Sequence, residues 1–327
     1  MSLIKNALEE LKEQSRIVSE NYGGARLRWM ADMLWSVPRY GARPIDYVRF
    51  EYYKKRGKER SRYLTLYKYF GLVRKLKKEN ERNIREGKGK LISGDKREEY
   101  ELYHKFISRK WIYADKTTDK EEIRDFITKY KNVIAKPNNG EQGHGILKIT
   151  DNDSLDSLLE SIKKTPFILE ETLVNHPELE KINLDSLNTV RIFTLIDRNG
   201  KLKVLTAIMR VGRKGSHVDN WGSGGVAYEI EPTLGIITRA GVDKTNKKHI
   251  IHPGSDIIMV GFKIPLFKEL LQMVEEMAFI APQHRFVGWD IAITPKGLEL
   301  IEMNCPGGHD ILQAFGDPLG DILKENW

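Results

Sequence analysis

Two carboxylates and an amide near the end of the chain, Asp290, Glu302 and Asn304, are spaced so that one cation could meet all three. Their placement follows from the turn between them. Thr294-Pro295-Lys296-Gly297-Leu298 reads as a three-residue hairpin loop, with proline opening a type I turn and glycine in the left-handed position of a bulge. Thr294 is then expected opposite Leu298, and counting back along both strands puts Asp290 opposite Glu302, with Asn304 on the same face. Opposed side chains lie about 4.5–5.5 Å apart, and like charges at that separation destabilise a sheet. A positive charge is therefore expected between them. Oxygen donors without histidine suit Mg2+, or Mn2+, better than zinc. Strand carboxylates often only face solvent, but the apolar residues around both argue for a site.

A second group suits a phosphate-bearing ligand. Lys136 ends a predicted strand and precedes the glycine-rich run Pro137-Asn-Asn-Gly-Glu-Gln-Gly-His-Gly145. Gly140, Gly143 and Gly145 let backbone N–H groups approach oxygens closely, and the ammonium can neutralise phosphate. Neither a Walker A ending nor a dinucleotide fingerprint is present. Alone, the run is better read as an ordinary tight hairpin; with the carboxylate hairpin, the balance tips to nucleotide binding. His144 could touch the terminal phosphate, and His309, after Pro306-Gly-Gly308, could sit near an acceptor. Arg191 and Arg210 fall on predicted strands, where a guanidinium facing a cleft can bind a transferring phosphoryl group, although a surface salt bridge explains either one as well. Asp219 and Asn220 lie in a glycine-rich loop that suits substrate recognition or simple turn chemistry.

The elements that must position these residues follow from periodicity. Residues 1–90 lack strand alternation and place Trp29, Met33 and Val37, then Tyr63, Leu66, Tyr67 and Phe70, at helical spacing. This predicts several short helices, broken at Gly23-Gly24, Pro38, Gly41 and Pro44, with the aromatic stripe in a core. From about residue 91 helices and strands mix: helix 96–107, strand 111–113, a helix capped at Thr118 or Asp119, strands 132–136 and 146–149, a helix from Asp153 or Ser154 to about Lys164, and strand 167–170. Strands over 189–197, 201–211, 225–230 and 236–239 precede a helix near 266–281 and the terminal hairpin. The expected division is a basic helical region, 1–90, and an α+β region, 91–327, itself split into about 91–172 and 173–327.

Composition bounds the rest. The 327 residues, 40% hydrophobic, can bury a sizeable core. No run reaches the roughly 18 to 20 apolar residues of a membrane span, and the start lacks a signal-peptide core, so the expected compartment is the cytoplasm. Cys305 is the sole cysteine, which rules out an intrachain disulfide and suits a small buried side chain better than a reactive thiol. The net charge of +8 is uneven: residues 1–110 hold 28 Lys and Arg against 15 Asp and Glu. That surplus fits an anionic substrate, an anionic membrane surface or simply a solvated helical face. Nucleic acid is argued against, since neither zinc-finger spacing nor an aromatic RNA-recognition signature occurs.

Ile134-Ala-Lys-Pro-Asn-Asn-Gly140, Ile168-Leu-Glu-Glu171 and Asp290 with Glu302-Met-Asn304 together resemble the ATP-grasp superfamily over about residues 91–310. Ser186-Leu-Asn-Thr-Val-Arg191, Val218-Asp-Asn220 and Gly288-Trp-Asp290 are similar to its sugar-transfer-associated family. The resemblance implies an α+β ATP-grasp fold whose two subdomains grip ATP, here preceded by the basic helical region. It implies Lys96 as the first ATP lysine, ahead of its rival Lys116, and Lys136 as the second. Glu170, Glu171 and Leu173 would belong to the hinge that reads adenine, with Glu171, Glu178 or Asp185 as the ribose acid. Asp290, Glu302 and Asn304 would hold Mg2+ between the β- and γ-phosphates. The implied activity is an ATP- and Mg2+-dependent ligase forming an amide through an acyl phosphate, on a carboxylate and an amine of a cell-surface polysaccharide precursor. A kinase on the same fold and a non-catalytic nucleotide-binding scaffold for glycan machinery are the rivals. The basic region would grip an anionic glycan or lipid-linked diphosphate, placing the chain peripherally at the inner membrane surface.

Overall fold

The computed structural model describes residues 2–87, 94–140, 145–216, 219, 221–315 and 317–326. The basic front is helical: α1 (Ser2–Tyr22), α2 (Arg26–Tyr40), α3 (Pro44–Arg49), α4 (Lys58–Ser61) and α5 (Leu66–Arg85). Three of these, α1, α2 and α5, are long rather than short, at 21, 15 and 20 residues. Pro38 does not end α2, because a proline in the last turn forfeits only one backbone bond, that to the carbonyl of exposed Leu34. The helix stops instead at Gly41, whose φ of 68° lets its N–H return to the Val37 carbonyl at 2.9 Å. Trp29 and Met33 are buried with Tyr47, Phe50 and Tyr63, as the stripe suggested, whereas Tyr67 and Phe70 are about half exposed.

The next segment forms a small sheet. α6 (Lys96–Leu102) leads to β1 (Trp111–Ala114), α7 (Lys120–Tyr130), β2 (Val133–Pro137), β3 (Leu147–Ile149), α8 (Asn152–Ile162) and β4 (Phe167–Glu171). The four strands are antiparallel in the order β1-β4-β2-β3. Ile123 and Phe126 of α7 and Leu158 and Ile162 of α8 pack on Val133, Ala135, Ile149 and Leu169. α8 starts slightly earlier than expected, since Asp151 caps it by accepting from the Ser154 N–H at 2.8 Å.

The larger sheet follows a short helix, α9 (Pro177–Glu180). It contains β5 (Thr189–Ile196), β6 (Leu202–Val211), β7 (Val226–Glu231), β8 (Ile236–Ile237), β9 (Gly241–Val242), β10 (Lys248–His249), β11 (Phe286–Thr294) and β12 (Gly297–Asn304), with α10 (Phe267–Ile280) before the hairpin and α11 (Leu319–Asn326) after it. The order is β10-β9-β7-β6-β5-β11-β12, with β8 on β7. All nine residues of β11 are buried, because both faces are covered. Trp289, Ile291 and Ile293 face the core shared with α10. Phe286 faces a second core, which Leu64 and Leu76 of the helical region share with Phe193, Ile311 and Leu319.

The hairpin turn is tighter than its sequence suggested. Thr294 pairs with Gly297, not Leu298, which leaves a two-residue loop. A bulge then skips Ile301 between the Ile291–Leu300 and Asp290–Glu302 pairs, and the offset is restored. Asp290 opposes Glu302 after all, by a different route.

Candidate functional site

Asp290 stands in the middle of three neighbouring strands, paired with Arg191 of β5 on one side and Glu302 of β12 on the other. Side chains at paired positions share a face. Arg191 donates from Nε to Asp290 Oδ1 at 2.6 Å and from Nη2 to Oδ2, a bidentate clasp. Arg210 of β6 places Nη2 3.0 Å from the same Oδ2. Burial alone would push the Asp290 carboxyl up, and the two guanidinium charges hold it below its ordinary value. Asp290 is thus neutralised by the chain itself, from the β5 and β6 side away from Glu302.

Glu302 meets a different cation. Lys96 Nζ lies 3.2 Å from Glu302 Oε1 and donates to the Gly140 carbonyl at 2.6 Å. One ammonium therefore joins the first turn of α6, the start of the glycine-rich loop and the carboxylate hairpin. Asn138 sets this up. Its carbonyl accepts from the Lys96 N–H at 3.2 Å, and its side-chain oxygen accepts from the Arg97 N–H at 2.9 Å, tying the loop to an otherwise unsatisfied helix terminus. The rival Lys116 is exposed in the turn after β1. Gly145 closes the loop with φ 76° beside the Pro137 ring, while Gly143 and His144 fall outside the described residues.

Glu302 and Asn304 fit a hard divalent ion. The Glu302 side chain is 35% exposed, and Asn304 uses its Nδ2 on the Gly288 carbonyl and Asp290, which leaves its oxygen as the donor. Mg2+ characteristically takes one or two protein oxygens and completes its shell with water and phosphate. Asp290 could join only by releasing an arginine. Among the described residues no group of three His, Cys, Asp or Glu side chains is disposed to hold a metal.

Lys136 and Glu170 form a buried ion cluster. Lys136 Nζ is 2.5 Å from Glu170 Oε1, while Arg109 Nε and the Tyr100 hydroxyl donate to Oε2 at 2.8 and 2.6 Å. Burial would raise the Glu170 carboxyl, but the charges of Arg109 and Lys136 with their hydrogen bonds hold it at about 2. Arg109 reaches on to the Leu300 carbonyl at 2.6 Å and Glu299 at 3.2 Å, so it links the small sheet to β12 of the large one. Sequence reasoning missed Arg109, Tyr100, Glu99 and Glu299. The available signals were Glu299 alternating with leucines in a buried strand and charged residues just ahead of β1. Glu99 accepts from the Met303 N–H at 2.5 Å, and burial together with the Glu302 charge pushes it up to about 8.

The hinge after β4 is tied down by its backbone. The Glu171 and Thr172 N–H groups donate to the Lys110 and Asn132 carbonyls, and Leu173 follows, half-buried. Of the three acids considered for ribose, Glu171 accepts weakly from the Lys110 N–H, Glu178 pairs with Lys181, and Asp185 accepts from the Gly215 N–H.

The other expected residues are placed as follows. Asp219 accepts from the Thr189 N–H at 3.0 Å and lies 3.6 Å from Arg210, whose Nη2 donates to Thr189 Oγ1 at 2.6 Å. It thus braces Arg210; Asn220 lies outside the described residues. His309 stacks on Tyr69 of α5 at 4.8 Å and faces Asp46 at 3.7 Å, at the junction with the helical region. Burial pushes the Cys305 thiol up to about 12, so it stays protonated at neutral pH.

Two α+β bodies joined at a hinge, one bearing lysines and a glycine loop and the other a carboxylate hairpin, define an ATP-grasp-like fold. Residues 92–319 match the sugar-transfer associated ATP-grasp family, and the chain belongs to it. Among curated proteins none matches the chain. Among solved structures, the ATP-grasp ligase PsnB, complexed with a minimal precursor, Mg and ADP, is 17% identical with a TM-score of 0.43, over 71% of this chain and 57% of that one. D-alanyl-alanine synthetase A from Vibrio cholerae is 14% identical with a TM-score of 0.44, over 70% and 62%. The chain spans less than two thirds of the length of either.

Proposed function

We propose that this protein is an ATP- and Mg2+-dependent ligase that joins a carboxylate to an amine through an acyl phosphate, acting on a cell-surface glycan or its precursor. The observation that carries the reading is Lys96, whose ammonium stands within 3.2 Å of both the Gly140 carbonyl and Glu302. A phosphate chain lying under the loop would meet that ammonium and the hairpin together. The substrate carboxylate oxygen attacks the γ-phosphorus, ADP leaves, and the amine then attacks the acyl carbon and expels phosphate, which takes up the proton the amine loses. No protein nucleophile is needed. Lys96 and Lys136 neutralise phosphate charge, and Arg191 and Arg210, preoriented by Asp290 and by Asp219 through Thr189, face the transferring group. Mg2+, held by Glu302 and Asn304, would supply further neutralisation of the phosphate oxygens. Glycan-linked substrates follow from the family's association with sugar transfer, and the surplus of 28 basic over 15 acidic residues in 1–110 suits an anionic acceptor.

The test is ADP formation by the purified chain with ATP, Mg2+, uronic acids and amino sugars. A ligase releases ADP only with carboxylate and amine both present, and yields a hydroxamate when hydroxylamine replaces the amine. A stable phosphate ester would make it a kinase, and no turnover with any such pair would favour a scaffold.

A further inference from the structure

Helix α2 carries two apolar stripes on opposite sides. Trp29, Met33 and Tyr40 recur at helical spacing on its buried side. Leu27, Leu34, Trp35 and Pro38 recur on the other and are open to solvent, with Leu27 78%, Leu34 58% and Trp35 51% exposed. At 3.6 residues per turn these four fall within about a third of the circumference, with Arg28 and Arg39 bordering them on one side and half-buried Met30 and Val37 on the other. The one acid of the helix, Asp32, turns away to meet Arg60 at 2.7 Å and the Tyr47 hydroxyl at 2.6 Å. A surface helix normally shows water a polar face. An exposed apolar stripe opposite the core stripe, with arginines along one edge, is a surface built to be covered.

We propose that this face of α2 docks the protein on an anionic lipid bilayer. The helix lies in the headgroup plane, with Leu27, Leu34 and Trp35 entering the acyl boundary and the arginines meeting lipid phosphates. Charge decides the occupant. The Arg39 guanidinium lies over the Trp35 ring, 4.9 Å from its centroid, and a tryptophan backed by arginine suits the interfacial level of a membrane. α5 exposes Arg74, Lys75, Lys77 and Lys78 in the same basic module. A second copy of the chain would set arginine against arginine across a two-fold axis. Among the described residues no helix is long and apolar enough to cross a membrane, so the contact is peripheral. The inference rests on this face alone and not on the proposed reaction, which can fail or hold without it.

The experiment is sedimentation of the full chain with phosphatidylcholine vesicles, with and without phosphatidylglycerol. The wild-type chain pellets with the anionic vesicles only. Leu34→Glu with Trp35→Glu lowers the partition coefficient by about tenfold or more. Arg28→Gln with Arg39→Gln lowers it by about fivefold per charge, an effect that salt mimics. Both variants leave the buried stripe intact and keep the far-UV circular dichroism and the melting temperature of the wild type. The proposal is overturned by a wild type that stays in the supernatant, by equal pelleting of the Leu34→Glu/Trp35→Glu variant, or by a concentration-dependent dimer that this variant abolishes.

Discussion

Lys96 and Glu170 show how single charges divide the work of the site. The Lys96 ammonium holds Gly140 and Glu302 but no buried carboxylate, so its loss should affect chemistry more than folding. Lys96→Met is expected to lower ATP turnover by about 10²- to 10³-fold with little change in melting temperature, measured by ADP release and calorimetry. Glu170 is the converse, a buried carboxylate paired with Lys136 and Arg109. Its carboxyl lies at about 2 in the folded chain against an ordinary 4.5, so between those values the unfolded chain binds more protons. Its stabilisation is complete above about pH 4.5 and is lost as pH falls toward 2. The shift corresponds to about 3 kcal/mol at neutral pH. Glu170→Gln is therefore expected to unfold at lower denaturant at pH 7, and to lose less further stability than the wild type between pH 4.5 and 2. An equally steep acid limb in the variant would place the acid sensitivity elsewhere.

At the scale of elements, the hairpin and the link between sheets had unequal sequence signals. The strands of the hairpin, β2, β4 and the helices flanking them were legible because alternation and caps are local properties. The Asp290–Glu302 pairing was legible too, although the loop count and the bulge erred in compensating directions. Arg191 and Asp290 stand 99 residues apart, and nothing local fixes the register of β5 on β11, so their clasp could not be read. Arg109 was hidden for the same reason. Its guanidinium bonds β4 through Glu170 and β12 through the Leu300 carbonyl, which makes it a polar fastening between the two sheets. Arg109→Ala would take one of two cations from buried Glu170 and a cation from buried Glu299, and a loss of about 3 kcal/mol is expected in denaturant unfolding. Arg109→Lys keeps the charge without the fork and should recover only part of that loss.

For the whole molecule, the helical front is a wall of the site-bearing body. The division proposed near residue 90 marks a change in composition, yet Leu64 and Leu76 belong to the same core as Phe193, Phe286 and Ile311. That core lies on the face of the large sheet that also carries Arg191 and Asp290, because Phe193 and Phe286 alternate in phase with them. Gln313 seals the contact. It is fully buried, accepts from the Leu64 and Leu319 N–H groups and donates to the Leu64 and His309 carbonyls. Removing residues 1–91 would expose this apolar face and leave Gln313 with two bonds unmade, each costing about 1–3 kcal/mol where it stays buried. The remaining 92–327 is therefore expected to aggregate or to bind ATP without cooperative unfolding, whereas Gln313→Glu in the full chain should soften only the junction. Expression of the shortened chain, followed by gel filtration and thermal unfolding, checks this: a monomer with a single sharp transition would show that the helical front is a separable appendage after all.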